Sequence, residues 1–144
     1  MILADTNILL RVLQRDHPMH ADAWAAVRIL QSRKEIVLAA QNIVELWVVA
    51  TRPKEQNGAG LTPLRAAVYL ARLNRTFPVL LETPDIHQEW QRLVVEYQVS
   101  GKKAHDTRLV AAMNVHGVKG ILTFNGDDFR RYPGIEIWHP RDVG

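Results

Sequence analysis

The chain has 144 residues, 47% of them hydrophobic, a net charge of +3 and no cysteine, which predicts one domain over residues 1–144 with a substantial core. The missing thiols exclude disulfides, cysteine nucleophiles and thiolate zinc sites, and the two serines, Ser32 and Ser100, leave little room for a serine-hydrolase motif. No apolar run approaches the roughly 20 residues needed to span a bilayer, and no basic segment precedes the apolar N-terminus, so neither a membrane helix nor a signal peptide is expected and a cytoplasmic location is the simplest inference.

The opening MILAD reads as a short buried strand, and NILLRVLQR after it places Ile8 with Val12 and Leu9 with Leu13 at helical spacing. HPMHADAWAAVRILQSR predicts a second helix, started near Pro18, with Trp24, Val27 and Leu30 or Ile29 on its inner face. EIVLAA predicts a second buried strand running directly into the helix QNIVELWVVATR, which Pro53 and the loop KEQNGAG end. A helix from Pro63 to about Arg75 follows, then a strand FPVLLE and a helix opened by Thr83, Pro84 and Asp85. The last third predicts a loop VSGKK, a helix AHDTRLVAAMNVHG stopped by Gly117, a strand GILTF, an Asp-rich turn and a final strand IEIW. Short apolar strands alternating with helices imply an α/β fold with a parallel sheet covered on both faces, and such sheets bind ligands at the carboxyl ends of their strands.

Three carboxylates stand alone in apolar surroundings: Asp5 where the first strand ends, Glu45 in NIVELWVV, and Asp106 on the same helical face as Leu109, Val110 and Met113, with Arg108 pointing elsewhere. Each has an ordinary structural explanation. Asp5 could cap the helix after it, Asp106 could favour the first turn of its helix through the dipole, and Glu45 could pair with a buried arginine. Together they need a shared compensation, because an isolated buried charge costs on the order of several kcal/mol. A divalent cation supplies one, and oxygen-only ligands without cysteine or a paired histidine motif favour Mg²⁺ or Mn²⁺ over zinc. His17 and His20 are expected at the surface. The turn TFNGDDF adds Asn125, Asp127 and Asp128, and of two adjacent aspartates one is expected to face the site and the other water. Nine arginines and lysines in predicted helix ends and loops, including Lys102, Lys103 and Arg108 around Asp106, are compatible with a phosphate-facing surface or with a solvated basic face.

ADTNILL, VELWVV, AHDTRLVAA and LTFNGDDF resemble, in order and spacing, the four motifs of PIN-domain ribonucleases, and especially VapC-type toxins of bacterial toxin–antitoxin pairs. The resemblance covers essentially the whole chain. It implies a PIN-like α/β/α sandwich with a central, mostly parallel sheet, whose acidic cluster binds Mg²⁺, with Mn²⁺ an alternative, and cleaves RNA by metal-assisted hydrolysis to a 5′-phosphate and a 3′-hydroxyl. By the same resemblance Asp5, Glu45 and Asp106 match the three firm acidic positions. Relatives place the fourth acid either where Asn125 stands or just before the Phe, which favours Asp128, with Thr6, Asn7, Thr123 and Asn125 orienting the site. Lys102, Lys103 and Arg108 would guide the RNA backbone. The implied partners are RNA, a small antitoxin and a second copy in a homodimer, with Trp24, Trp47 and Tyr69 in the helices used for such contacts. An open acidic site also suits a basic side chain on the antitoxin's tail, in competition with the metal. Two rivals are a non-catalytic PIN-like RNA-binding or assembly module, opposed by the intact acids, and a haloacid-dehalogenase-like phosphatase, which needs an aspartate where Asn7 stands.

Overall fold

The computed structural model describes residues 1–144. In chain order the elements are β1 (Ile2–Ala4), α1 (Thr6–Leu13), α2 (His20–Ser32), β2 (Ile36–Ala39), α3 (Ala40–Thr51), α4 (Pro63–Thr76), β3 (Val79–Leu80), α5 (Pro84–Glu96), α6 (Lys103–His116), β4 (Gly120–Leu122) and β5 (Glu136–Trp138). Short 3₁₀ turns lie at Lys54–Gln56, Gly126–Phe129 and Pro140–Asp142. The strands form one sheet in the order β3-β2-β1-β4-β5, every neighbouring pair parallel.

The chain winds outward from β1 through β2 to β3, then returns to the opposite side of β1 as β4 and continues to β5. β1 and β4 therefore flank the point where the winding reverses, and loops leaving their carboxyl ends diverge to opposite sides and open a crevice there. Side chains alternate across the strands, as a period of two requires. Leu3, Val37, Ala39 and Ile121 join one core with α5 and α6, whereas Ala4, Ile36, Leu38 and Leu122 join a second core with α1, α2, α3 and α4. The result is the expected α/β/α sandwich.

The elements differ from the sequence reading in a few instructive places. Trp24 is 47% exposed and α2 packs through Ala23, Ala26, Val27 and Leu30 instead. Its indole lies on the surface between the His20 ring, 6.3 Å away and nearly parallel, and the Arg28 guanidinium, 5.8 Å away. Small alanines let the helix sit close to its neighbours, so the inner stripe follows Ala23 and Ala26 rather than the largest ring. β3 shrinks to two residues. Thr83 holds the position before α5 without making a capping bond, and its hydroxyl is buried without a partner; Thr62 does cap α4, accepting from the Arg65 N–H at 3.2 Å. Gly117 ends α6 at φ +67°, a left-handed conformation that glycine adopts without a Cβ penalty.

Two anchors fix the turn after β4. Phe129 is fully buried against the α5–α6 core. Three residues on, the Tyr132 hydroxyl hydrogen-bonds Thr107 Oγ1 of α6 at 2.6 Å, and the Thr107 hydroxyl in turn donates to the Lys103 carbonyl at 2.9 Å. Emptying the Phe129 pocket removes the larger anchor. Phe129→Ala is expected to lower unfolding free energy by about 3–5 kcal/mol in urea titration, a large part of the roughly 5–15 kcal/mol of an ordinary domain; a loss below about 1 kcal/mol would show that the turn does not depend on it.

Candidate functional site

Asp5 stands where β1 ends and α1 begins. It is the N-cap of α1, its Oδ1 accepting from the Thr6 N–H at 2.8 Å, so the capping explanation holds for one oxygen. The other oxygen, Oδ2, faces β4 across the crevice and accepts from Thr123 Oγ1 at 2.8 Å and from Asn7 Nδ2 at 3.3 Å. Only 8% of Asp5 is exposed. The same Asn7 amide donates to Thr123 Oγ1 at 3.2 Å and accepts from the Phe124 N–H at 3.3 Å, stitching the ends of β1 and β4 together. Thr123 Oγ1 also accepts from the Asn125 N–H at 3.0 Å. Asn125 thus braces the site through its backbone N–H, and its side chain is exposed.

Glu45 is half-buried on α3 and is held from both sides. Thr6 Oγ1 donates to Oε2 at 2.9 Å and Gln41 Nε2 to Oε1 at 2.8 Å. Its downstream neighbour Val48 is 49% exposed, so these two donors, rather than apolar packing at that position, explain the inward carboxylate. Gln41 is itself fixed: Nε2 also donates to the His105 carbonyl of α6 at 2.7 Å, and Oε1 accepts from Arg108 at 3.4 Å. With acceptors on one end and a cation on the other, only one orientation of the amide satisfies all partners. Arg108 therefore turns toward the site's edge, where its main partner is Glu82 at 2.8 Å. Asn42, fully buried, donates to Thr6 Oγ1 at 3.3 Å and accepts from the Ala39 N–H at 2.9 Å. Gln41 and Asn42 were missed in the sequence, although a QN pair at the junction of an apolar strand and an apolar helix is the kind of signal that could have found them.

Asp106 lies in the first turn of α6, half-buried. Burial first, and then the charges of Asp128, Asp5 and Glu45, push its carboxyl up to about 7, with Lys103 opposing. Burial likewise raises Asp5 to about 6, against the hydrogen bonds from Thr123 and Thr6 and with the charges of Glu45 and Asp128 adding to the rise. Four carboxylates from β1, α3, α6 and the turn after β4 thus act on one another at one place. The two aspartates of the turn differ: Asp127 is 81% exposed at its side chain and pairs outward with Arg130 at 2.8 Å, whereas the charge of Asp128 acts on Asp5 and Asp106. Lys102 and Lys103 are exposed at the start of α6. His17 and His20 lie outside the cluster and are partly covered: Met19 N–H donates to His17 Nδ1 at 3.1 Å and His20 Nδ1 lies 2.9 Å from the Arg11 carbonyl.

The PIN domain family matches residues 2–135. The chain belongs to the PIN-domain family. It is 27% identical to Ribonuclease VapC24 of Mycobacterium tuberculosis over 97% of both chains. Two solved structures share its fold: VapBC2 of Rickettsia felis bound to a promoter DNA fragment (TM-score 0.71, 14% identity, 96% of this chain and 98% of that one) and Mycobacterium tuberculosis VapC20, a toxin that cleaves the sarcin-ricin loop (TM-score 0.65, 23% identity, 91% and 95%).

In this PIN domain the donors are carboxylate and hydroxyl oxygens, the set preferred by hard divalent cations. No three acidic or imidazole side chains close into a finished ligand cage. They form instead a group in which the Asp5 and Asp106 carboxyls are raised first by burial and then by the neighbouring carboxylates, a penalty that a cation would relieve. Asp5 and Asp106 therefore bind protons more tightly in the folded chain than in the unfolded one, where they titrate near 3.8. With more protons on the native state, stability falls as pH rises from about 4 to about 7 and levels off above. In EDTA, Asp106→Asn should gain thermal stability relative to the parent as pH rises through that window, by thermal melts; a difference independent of pH would contradict the repulsion. The braces give a second expectation. Gln41→Ala and Thr6→Val should each weaken Mn²⁺ binding by about 10–100-fold, as loss of ligand-orienting partners does, and unchanged affinity would show that Glu45 needs no positioning.

Proposed function

We propose that this protein is a divalent-metal-dependent endoribonuclease acting as the toxin of a toxin–antitoxin pair, with residues 1–144 forming one PIN domain. The observation that carries the reading is the hydrogen-bonded frame that holds Asp5 and Glu45 on either side of Thr6 at the sheet's reversal point, within electrostatic reach of Asp106 and Asp128. A structural role would have paired these acids with arginines. Here none of the four is ion-paired, and Arg108, on the helix that carries Asp106, is bonded to Glu82 and to Gln41. Similarity to Ribonuclease VapC24 over nearly the whole of both chains supports RNA as the substrate.

Asp5 and Asp106 are the principal metal ligands in this reading, with Asp128 completing the set and Glu45 ligating or orienting the attacking water. Mg²⁺ or Mn²⁺ supplies Lewis-acid activation of water and offsets charge on the phosphodiester when bound. The chain's own contribution is placement. Thr123, Asn7 and the Thr6 N–H hold both oxygens of Asp5, and Gln41 and Thr6 hold both oxygens of Glu45, so neither acid has to reorganise as charge develops. Lys102 and Lys103, exposed beside Asp106, are available to the RNA backbone, and Arg108 joins them if a phosphate replaces Glu82.

A small antitoxin is the second proposed partner, supported by solved complexes on the same fold. A homodimer belongs to the same proposal, the exposed Val44 and Val48 of α3 offering apolar surface. No helix is long and apolar enough to cross a membrane, in keeping with a proposed cytoplasmic location.

Incubation with cellular RNA in Mg²⁺, followed by end mapping, tests the activity. Asp5→Asn and Asp106→Asn should each lower the cleavage rate by roughly a hundredfold or more while remaining folded, and excess EDTA should stop the parent. Full cleavage by a rigorously purified Asp5→Asn protein would overturn the assignment. A basic side chain of the antitoxin placed among the acids should also make inhibition weaken as Mg²⁺ rises at constant ionic strength; inhibition indifferent to Mg²⁺ would mean that the antitoxin acts by blocking RNA access.

A further inference from the structure

Beside the acidic cluster, on its β5 side, lies a hollow of about 710 Å³ between the segment after β4 and the residues after β5. It shares Thr123 and Asp128 with the acidic site and is otherwise unused by the chemistry proposed above. The Phe124 and His139 rings meet edge to face in its wall, centroids 5.4 Å apart at 82°, and both are only half-buried, so ring surface stays open. His139 is oriented from behind. Its Nδ1 accepts from the Arg141 N–H at 3.2 Å, which makes Nε2 the protonated nitrogen of the neutral ring and a free donor. The exposed Asn125 amide, able to donate and accept, stands on the same rim.

Charge decides what such a hollow can take. Asp127, Asp128 and Asp142 line it against the single guanidinium of Arg130. Asp127 is already paired with Arg130 at 2.8 Å, and Asp142 accepts from the His139 N–H at 3.1 Å. An excess of carboxylates repels a phosphate, whereas an uncharged planar ring bearing donors and acceptors meets open aromatic ring surface, an amide and an imidazole N–H. Gly126 keeps the floor low: a Cβ there would lie 2.8 Å from Ile137 Cγ2.

We propose that this hollow is a nucleobase subsite, in which one base of single-stranded RNA, next to the phosphate held at the acidic cluster, lies against Phe124 and His139 and is read by the Asn125 amide and His139 Nε2. The proposal rests on the ribonuclease reading for its substrate. Contact with an aromatic face tolerates any base, and the amide and imidazole supply preference among bases.

The test begins without catalysis. Amide and side-chain NMR spectra of the metal-free protein are followed during titration with adenosine, guanosine, cytidine and uridine, and separately with inorganic phosphate. At least one nucleoside should shift the resonances of Phe124, Asn125 and His139 while phosphate leaves them in place. Absence of any nucleoside shift there, or an equal response to phosphate, would overturn the subsite. His139→Asn retains an acceptor for the Arg141 N–H and removes the ring, so it should abolish the nucleoside shifts without loss of fold. In RNA cleavage the same variant should raise KM by about fivefold or more, consistent with the loss of one base contact, lower kcat by less, and change the base preference beside the cut. Unchanged KM and preference would overturn the proposal. Nucleoside binding at this hollow in a protein that cleaves no RNA would uphold the subsite and remove the ribonuclease reading, so the two failures are distinguishable.

Discussion

Four carboxylates repel one another at the carboxyl end of the central sheet, and the fold holds them there. Left to itself each would turn to water. Asp5 cannot, because its strand is buried and its two oxygens are committed to Thr6, Asn7 and Thr123. Glu45 is pinned between Thr6 and Gln41. The hydrogen bonds to Asp5 favour its charged form, yet burial outweighs them and its carboxyl still rises to about 6. A site built this way stores unfavourable electrostatics in the metal-free chain, and a divalent cation can discharge them.

The sheet's winding makes the meeting possible. Because β4 returns beside β1, residues more than a hundred positions apart in sequence become hydrogen-bonded neighbours, as Asp5 and Thr123 are. α6 packs on the same face as α5 and brings Asp106 to the crevice, while α3, entering directly from β2, brings Glu45 from the other layer. The turn carrying Asp128 has no strand to stiffen it and relies on Phe129 and the Tyr132–Thr107 hydrogen bond. The chain's stability is thus spent on converging supports for groups that oppose one another.

Much of this was readable in the sequence because a lone charge inside an apolar run is conspicuous. Asp5, Glu45 and Asp106 stood out for that reason, and alternation of short strands with helices disclosed the parallel sheet. What escaped was set by distant partners. Gln41 acquires its role from His105 and Arg108, some sixty residues later, and no local pattern announces that. Arg108 likewise takes its position from Glu82, in the segment between β3 and α5, and from Gln41 of α3. Trp24 was placed inside by its size, but close approach of α1 and α2 favours alanine at the contact and leaves the indole outside. Of the turn aspartates, the spacing could say only that they diverge, and the family resemblance favoured Asp128; Asp127 pairs outward with Arg130.

Titration calorimetry with Mn²⁺ at pH 6.5, in buffers of different ionisation enthalpy, measures binding and proton release together. If opposed carboxylates are held for a cation, binding must displace protons, because Asp106 is raised to about 7 and Asp5 to about 6. Saturable binding with net proton release is expected, with reduced release in Asp106→Asn and little release at pH 8.5. Absence of binding, or binding with no proton release that survives Asp5→Asn and Asp106→Asn unchanged, would contradict it.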